Sequence, residues 1–332
     1  MIETKTPIIE TVNLKKYFDV GKKKLHAVDG VNLKIMRGKT IGVVGESGCG
    51  KSTLGRVILR LLEPTDGDIL FDGESIINYN KKEMKKMRRK VQMIFQDPYS
   101  SINPRMTVSE LIAEYMIVNK IYKSTNEVYK RVGELMDTVG LARRVSNSYP
   151  HELDGGRRQR IGIARALSLS PEFIVCDEPV SALDVSIQAQ ILNLLMDLQE
   201  EFNLAYLFVT HDLSVVKHIS DDILVMYLGQ GVEQAPSQDL FDNPMHPYTR
   251  ALLDAIPEPI LTEKSELKTI KGEVTSPIDP AVGCRFAPRC EYKFDECTKK
   301  NPEQKYVAAN HSVACPYFVE NMHLKKKGVG SL

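Results

Sequence analysis

Along this chain, short apolar runs end abruptly in polar residues. TIGVVG, Thr40 to Gly45, is partly β-branched and stops at glycine, the pattern of a buried strand entering a tight loop. STLGRVILRLL follows with helical spacing, EFIVCDEP ends in two acids and a proline, and LAYLFVTHD ends in histidine and aspartate. Unbroken apolar strands are buried on both faces. Three of them with polar C-terminal ends predict an α/β sheet with a ligand at that edge. Between the first two, Met106 to Leu141 has helical apolar spacing and no strand signal, which predicts a helical subdomain inserted over about residues 98–168. After about Asn243 prolines multiply (PMHPYTR, AIPEPI, SPIDPAVG), which separates a domain over 1–240 from an extension over 241–332. KKEMKKMRRK reads as the solvated basic face of a helix.

Composition changes this picture little. The 332 residues are 42% apolar and 26% charged with a formal net charge of +1, so no global positive field draws in nucleic acid. No stretch approaches the roughly 18 apolar residues of a membrane span, and MIETKTPIIE lacks a basic segment followed by an apolar run. The expectation is a cytosolic chain unless a partner moves it. Four of the six cysteines (Cys284, Cys290, Cys297, Cys315) fall in the last fifth of the chain, and in a cytosolic protein such clustering points to metal more than to disulfides.

The chemistry starts at GESGCGKS, which fits G-x-x-x-x-G-K-[ST] between a predicted strand and a predicted helix. In such a loop Gly45, Glu46, Ser47, Gly48, Cys49 and Gly50 wrap a phosphate with backbone N–H groups, and the helix dipole adds positive potential. Lys51 is expected on the β- and γ-phosphates of ATP, Ser52 on Mg²⁺ and Thr53 on a phosphate further back. At the end of IVCDEP, Asp177 is expected to hold the metal through water and Glu178 to polarise the attacking water. Gln96 in FQDP is placed to sense metal and water, and His211 in VTHD to contact the γ-phosphate. Cys49 and Cys176 read as small packed residues.

Taken in order, GESGCGKST, FQDP, ELDGGRRQR, IVCDEPVSALD and VTHD resemble the nucleotide-binding subunits of ABC transporters over about Ile8 to Gln238. HPYTRALLDAIP and FQDPYSSINPRMTV resemble the peptide and nickel importer branch. The resemblance implies a P-loop NTPase core of RecA type and an adenine-stacking aromatic, Phe18, with Tyr17 beside it. It implies that Asp184 lies in a loop crossing between subunits, and that two subunits clamp two ATP molecules head to tail. It further implies two membrane-spanning permease subunits, an extracytoplasmic substrate-binding protein, and a peripheral position on the cytoplasmic face of the membrane. Peptide import is the expected function, with nickel import the alternative. A soluble ABC ATPase acting on DNA or ribosomes would need a second cassette, a coiled coil or a basic face, none of which is visible. A nonhydrolysing regulatory subunit is suggested by LDGGR alone and opposed by Glu178 and His211.

That segment departs from the family pattern LSGGQ: Asp154 stands where a serine would face the partner's γ-phosphate. Two unit charges about 4 Å apart repel by about 4 kcal/mol at an effective dielectric near 20. The expectation is compensation: Asp154 caps its own helix and pairs with Arg157, while the amides of Gly155 and Gly156 stay available. Only pairing with a different subunit makes the two sites unequal, and the resemblance, to a branch that commonly uses two different ATPase subunits, implies a heterodimer.

Some members of the branch carry a four-cysteine iron–sulfur site in the C-terminal extension. The spacing here, C-x5-C-x6-C-x17-C, lacks the C-x2-C pairs of common zinc fingers. Thiolate softness suits iron–sulfur and zinc alike, and the resemblance favours [4Fe–4S] over zinc, disulfides or unliganded thiols. The expected extension is small and stapled by metal because its own apolar content is low.

Overall fold

The computed structural model describes residues 6–97, 101–256, 272 and 275–316. The expected start of the helical insertion at residue 98, the proline-rich stretch 257–271 and the two chain ends lie outside the described residues. The chain forms two compact units, each built from separated stretches: Met1–Glu10, Lys34–Thr40 and Leu70–Val209 in the first, and Thr11–Leu33, Ile41–Ile69 and Thr210–Leu332 in the second.

In the first unit the strands Val91–Ile94, Phe173–Asp177 and Ala205–Val209 run parallel, with Met93 opposite Val175 and Val175 opposite Leu207. All five residues of Phe173–Asp177 and of Ala205–Val209 are buried, which is why their sequences read as continuous apolar runs rather than alternating ones. The helix Val185–Phe202 connects these two strands and buries Ile191, Leu195 and Leu198; it ends where Asn203 turns left-handed at φ 51. The helices Val108–Val118 and Thr125–Thr138 stand where helical spacing is expected. Each opens on a capping box, Thr107 with Glu110 and Ser124 with Glu127, that satisfies free N–H groups at the first turn. The basic stretch forms the helix Lys81–Lys90, with Met84 and Met87 as its buried face, its lysines and Arg88 exposed, and Arg89 half-buried against Asn119.

In the second unit the sheet order is Lys305–Ala308, His311–Val313, Gln230–Pro236, Asp222–Tyr227, Thr40–Val44. The last pair is parallel, with Val43 opposite Leu224, and the others are antiparallel. The helix Lys51–Ile58 follows the fully buried strand Thr40–Val44. It is shorter than the apolar spacing predicts because Arg60 takes a left-handed φ of 48 and turns the chain.

The C-terminal extension adds strands to this sheet and side chains to its core. Tyr248 and Phe286 pack in one cluster with Val44, Ile223, Val225 and Tyr227, and Cys284 and Cys290 lie against it. Glu233, fully buried, accepts the main-chain N–H groups of Met245 and His246 at 2.7 and 2.8 Å and pairs with His311 at 2.8 Å. Strand pairing, an aromatic core and a buried acid–imidazole pair hold the described part of the extension.

Candidate functional site

The phosphate loop is built by close backbone approach. Gly50 caps the helix Lys51–Ile58 at φ 104 and supplies no side-chain hydrogen bond to it. A Cβ at Gly50 would lie 1.9 Å from the Ala27 carbonyl oxygen, and one at Gly45 would lie 2.2 Å from that of Met226. Lys51 is only 5% exposed, and its ammonium donates to the carbonyls of Gly45 at 2.7 Å and Glu46 at 3.0 Å. Ser47 and Gly48 form the exposed tip, and Ser52 and Thr53 are half-buried in the first helical turn. Burial raises the Cys49 thiol above its ordinary range, with Lys51 opposing, so it stays neutral. A glycine-rich turn, a helix start and a held cation form a receptor for an anion.

In the first unit the strand Phe173–Asp177 delivers two acids in different settings. Asp177 is buried, whereas Glu178 adopts φ 47, a left-handed conformation that costs a non-glycine residue about 1 kcal/mol or more. The Glu178 N–H donates to Val209 at 2.9 Å, and Gln96 Nε2 donates to the Glu178 carboxylate at 2.8 Å. Gln96 and Glu178, 82 residues apart in sequence, are thus brought together. A strained carboxylate steadied by an amide is suited to orienting and deprotonating a water. In the second unit His211 is exposed, immediately before Asp212, which caps the helix Leu213–Ile219 by accepting from Ser214 and Val215.

At the signature segment Asp154 is the N-cap of the helix Gly155–Leu167, and its carboxylate accepts the Arg157 N–H at 2.8 Å. The Arg157 side chain approaches it at 3.5 Å, with both side chains more than half exposed, so the ion pair adds at most about 1 kcal/mol. A Cβ at Gly155 would meet Leu183 at 3.0 Å, and one at Gly156 would meet Ile187 at 2.7 Å. These glycines let the helix start lie against the segment around Asp184, itself exposed at the N-cap of Val185–Phe202.

Near the start of the chain, the Tyr17 ring stacks on His26 at 3.9 Å and its hydroxyl donates to Asp29 at 2.5 Å. Burial works to raise the Asp29 carboxyl, but hydrogen bonds from Tyr17 and His26 and the charge of Arg285 hold it below the usual range. Phe18 is half-buried, with the Lys16 ammonium 5.0 Å from its ring centre.

Among the described residues the four C-terminal cysteines form no disulfide, and they line one small pocket with His246, Phe286 and Tyr292. Burial pushes the Cys284 thiol up to about 11 and raises that of Cys290, and pushes the His246 imidazole down to about 4. Among the described residues no three His, Cys, Asp or Glu side chains gather as a metal-binding group. Cys284, Cys290, Cys297 and Cys315 are nonetheless brought together at this one pocket.

The ABC transporter family profile matches residues 28–181, and that of the oligopeptide/dipeptide transporter C-terminal region matches 232–297. AppF of Bacillus subtilis (strain 168), an oligopeptide transport ATP-binding protein, is 49% identical over 320 residues, 93% of this chain and 96% of its own. OppF of Escherichia coli (strain K12), also an oligopeptide transport ATP-binding protein, is 48% identical over 324 residues, 94% of this chain and 97% of its own. The chain belongs to the ABC transporter family. The dimeric ATP-binding cassette MJ0796 with ADP and phosphate superposes with a TM-score of 0.63 at 31% identity, covering 69% of this chain and 98% of that one. This supports the α/β P-loop fold of the ABC ATPase. Among the described residues no helix is long and apolar enough to cross a membrane.

Sequence reasoning missed the residues of this ABC ATPase that tie its extension to its phosphate loop. Arg285 bonds Asp29 and the Leu228 carbonyl, and Arg289 and Tyr248 reach Glu46. HPYTR was read for its family likeness alone, and nothing local marks its tyrosine as a partner of a loop 202 residues earlier.

Proposed function

We propose that this chain is the ATP-hydrolysing subunit of an ABC importer that takes up peptides across the cytoplasmic membrane. The observation that carries the reading is the presence in one chain of an ABC transporter match over 28–181 and an oligopeptide/dipeptide transporter match over 232–297. In this reading an ATP-binding domain spans 1–240, with the helical subdomain over about 98–168, and the transporter extension spans 241–332. Phe18 stacks on adenine, the loop from Gly45 to Thr53 cradles the phosphates, and Lys51 offsets their charge. Ser52, Gln96 and Asp177 supply oxygen donors of the kind Mg²⁺ takes beside phosphate oxygens. Glu178 orients and deprotonates water, Gln96 steadies Glu178, and His211 contacts the γ-phosphate.

Asp154, Gly155, Gly156 and Arg157 face the nucleotide of a second, different ATPase subunit. Two permease subunits and an extracytoplasmic receptor complete an assembly on whose cytoplasmic face this chain sits. The finer reading of the cysteines as ligands of [4Fe–4S] or zinc rests on the four-thiol donor set, and iron and zinc analysis of anaerobically purified protein tests it. The central test is Glu178→Gln. ATP turnover by the assembled transporter falls about 100-fold or more, peptide uptake stops, and MgATP still binds. Undiminished turnover would remove Glu178 from the chemistry and the reading with it.

A further inference from the structure

An acid inside a phosphate-binding loop poses an electrostatic problem, since a solvated carboxylate there repels the ligand. Glu46 is such an acid, and the C-terminal extension answers it. Arg289, its side chain 5% exposed, lays both arms of its guanidinium on the Glu46 carboxylate, Nη1 donating at 2.8 Å and Nη2 at 3.1 Å. Nη1 also donates to the Tyr227 hydroxyl at 3.3 Å. The main-chain N–H of Glu46 donates to the Tyr248 hydroxyl at 2.8 Å. Tyr248 is fully buried, packed 4.7 Å from the Tyr227 ring and 5.3 Å from Phe286, so its hydroxyl is fixed by a close-packed core. The Glu46 carbonyl in turn receives the Lys51 ammonium at 3.0 Å. Side chain, N–H and carbonyl of one loop residue are all engaged, two of them by the extension.

We propose that Arg289 and Tyr248 are positioning residues of the phosphate loop: Arg289 neutralises and turns aside the Glu46 carboxylate, and Tyr248 fixes its main chain, so that the extension sets the affinity for nucleotide. Bidentate arginine–carboxylate pairs combine charge with fixed geometry, which a lysine would not supply. The proposal deepens the ATP-binding reading and rests on it. It gives the C-terminal extension a role in the nucleotide cycle that does not pass through the cysteines.

The experiment measures MgATP affinity of the full chain by displacement of a fluorescent ATP analogue, with ATP hydrolysis as a second readout. Arg289→Gln weakens MgATP about fivefold and raises KM with kcat within about twofold. Adding Glu46→Gln to that variant restores most of the affinity, because the carboxylate that Arg289 masked is gone. A merely structural role would not be rescued in this way. Tyr248→Phe removes one oxygen from a buried ring and weakens MgATP about threefold, which keeps the proposal refutable if Arg289→Gln does not fold. Unchanged affinity in Arg289→Gln or in Tyr248→Phe, or failure of Glu46→Gln to rescue, overturns it. An unmodified chain that binds no MgATP strikes the ATP reading instead.

Discussion

Two helices of this protein open on glycines, at Gly50 before Lys51–Ile58 and at Gly155–Gly156 in Gly155–Leu167, and they do so for different reasons. At the phosphate loop glycine is required by conformation and by crowding: φ is 104 at Gly50, and a carbonyl oxygen occupies the place of its Cβ. No side chain caps that start, so its amides can turn to an anion. At the signature segment neither Gly155 nor Gly156 has a positive φ. There the glycines admit the side chains of Leu183 and Ile187, and Asp154 spends its carboxylate on the helix's own N–H. A pair of glycines before a helix therefore announces close approach without saying whether a ligand or the protein itself makes it.

The contrast can be broken most severely at Gly50. Gly50→Ala puts a Cβ into the Ala27 carbonyl and a side chain at an unfavourable φ, and should cost about 3 kcal/mol or more. Urea denaturation midpoints check this, with MgATP binding lost in parallel. Gly156→Ala should cost less, about 1–2 kcal/mol, because the atom it meets is a side-chain methyl that can shift. If packing against Ile187 is the reason for that glycine, Gly156→Ala becomes nearly neutral in an Ile187→Ala background. Additive losses in that double-mutant cycle would refute the packing account.

What could be read in the sequence follows the same division between local and distant causes. Thr40–Val44, Phe173–Asp177 and Ala205–Val209 were legible because each is buried along its whole length and gives way at its C-terminal end to glycine or to polar residues, a signal contained in a few neighbouring positions. The phosphate loop and the Asp154 cap were legible too, since helix-start chemistry reaches only three residues. The anchoring of the extension was not. Glu233 meets His311 across 78 residues, Glu46 meets Tyr248 across 202 and Arg289 across 243, and no periodicity encodes such pairs. Prolines and cysteines are conspicuous by composition, whereas the packing of Tyr227, Tyr248 and Phe286 in one cluster has no local signal.

Asp154 offers the smallest effects and the sharpest discrimination. Asp154→Ala removes the acceptor for the Arg157 N–H and should destabilise the helix start by about 1 kcal/mol. Asp154→Ser retains a capping oxygen and should stay within about 0.5 kcal/mol of the unmodified protein. Stability thus separates the two substitutions, whereas both remove the negative charge. If that charge faces a partner's nucleotide, both raise ATP turnover of the assembled pair equally, by roughly twofold for an exposed interaction worth about 0.5 kcal/mol, and added salt erases the gain. A rate that follows stability, falling for Ala and unchanged for Ser, assigns Asp154 to its own helix alone. The two glycine starts would then differ in purpose as well as in cause, one serving a ligand and the other only the fold.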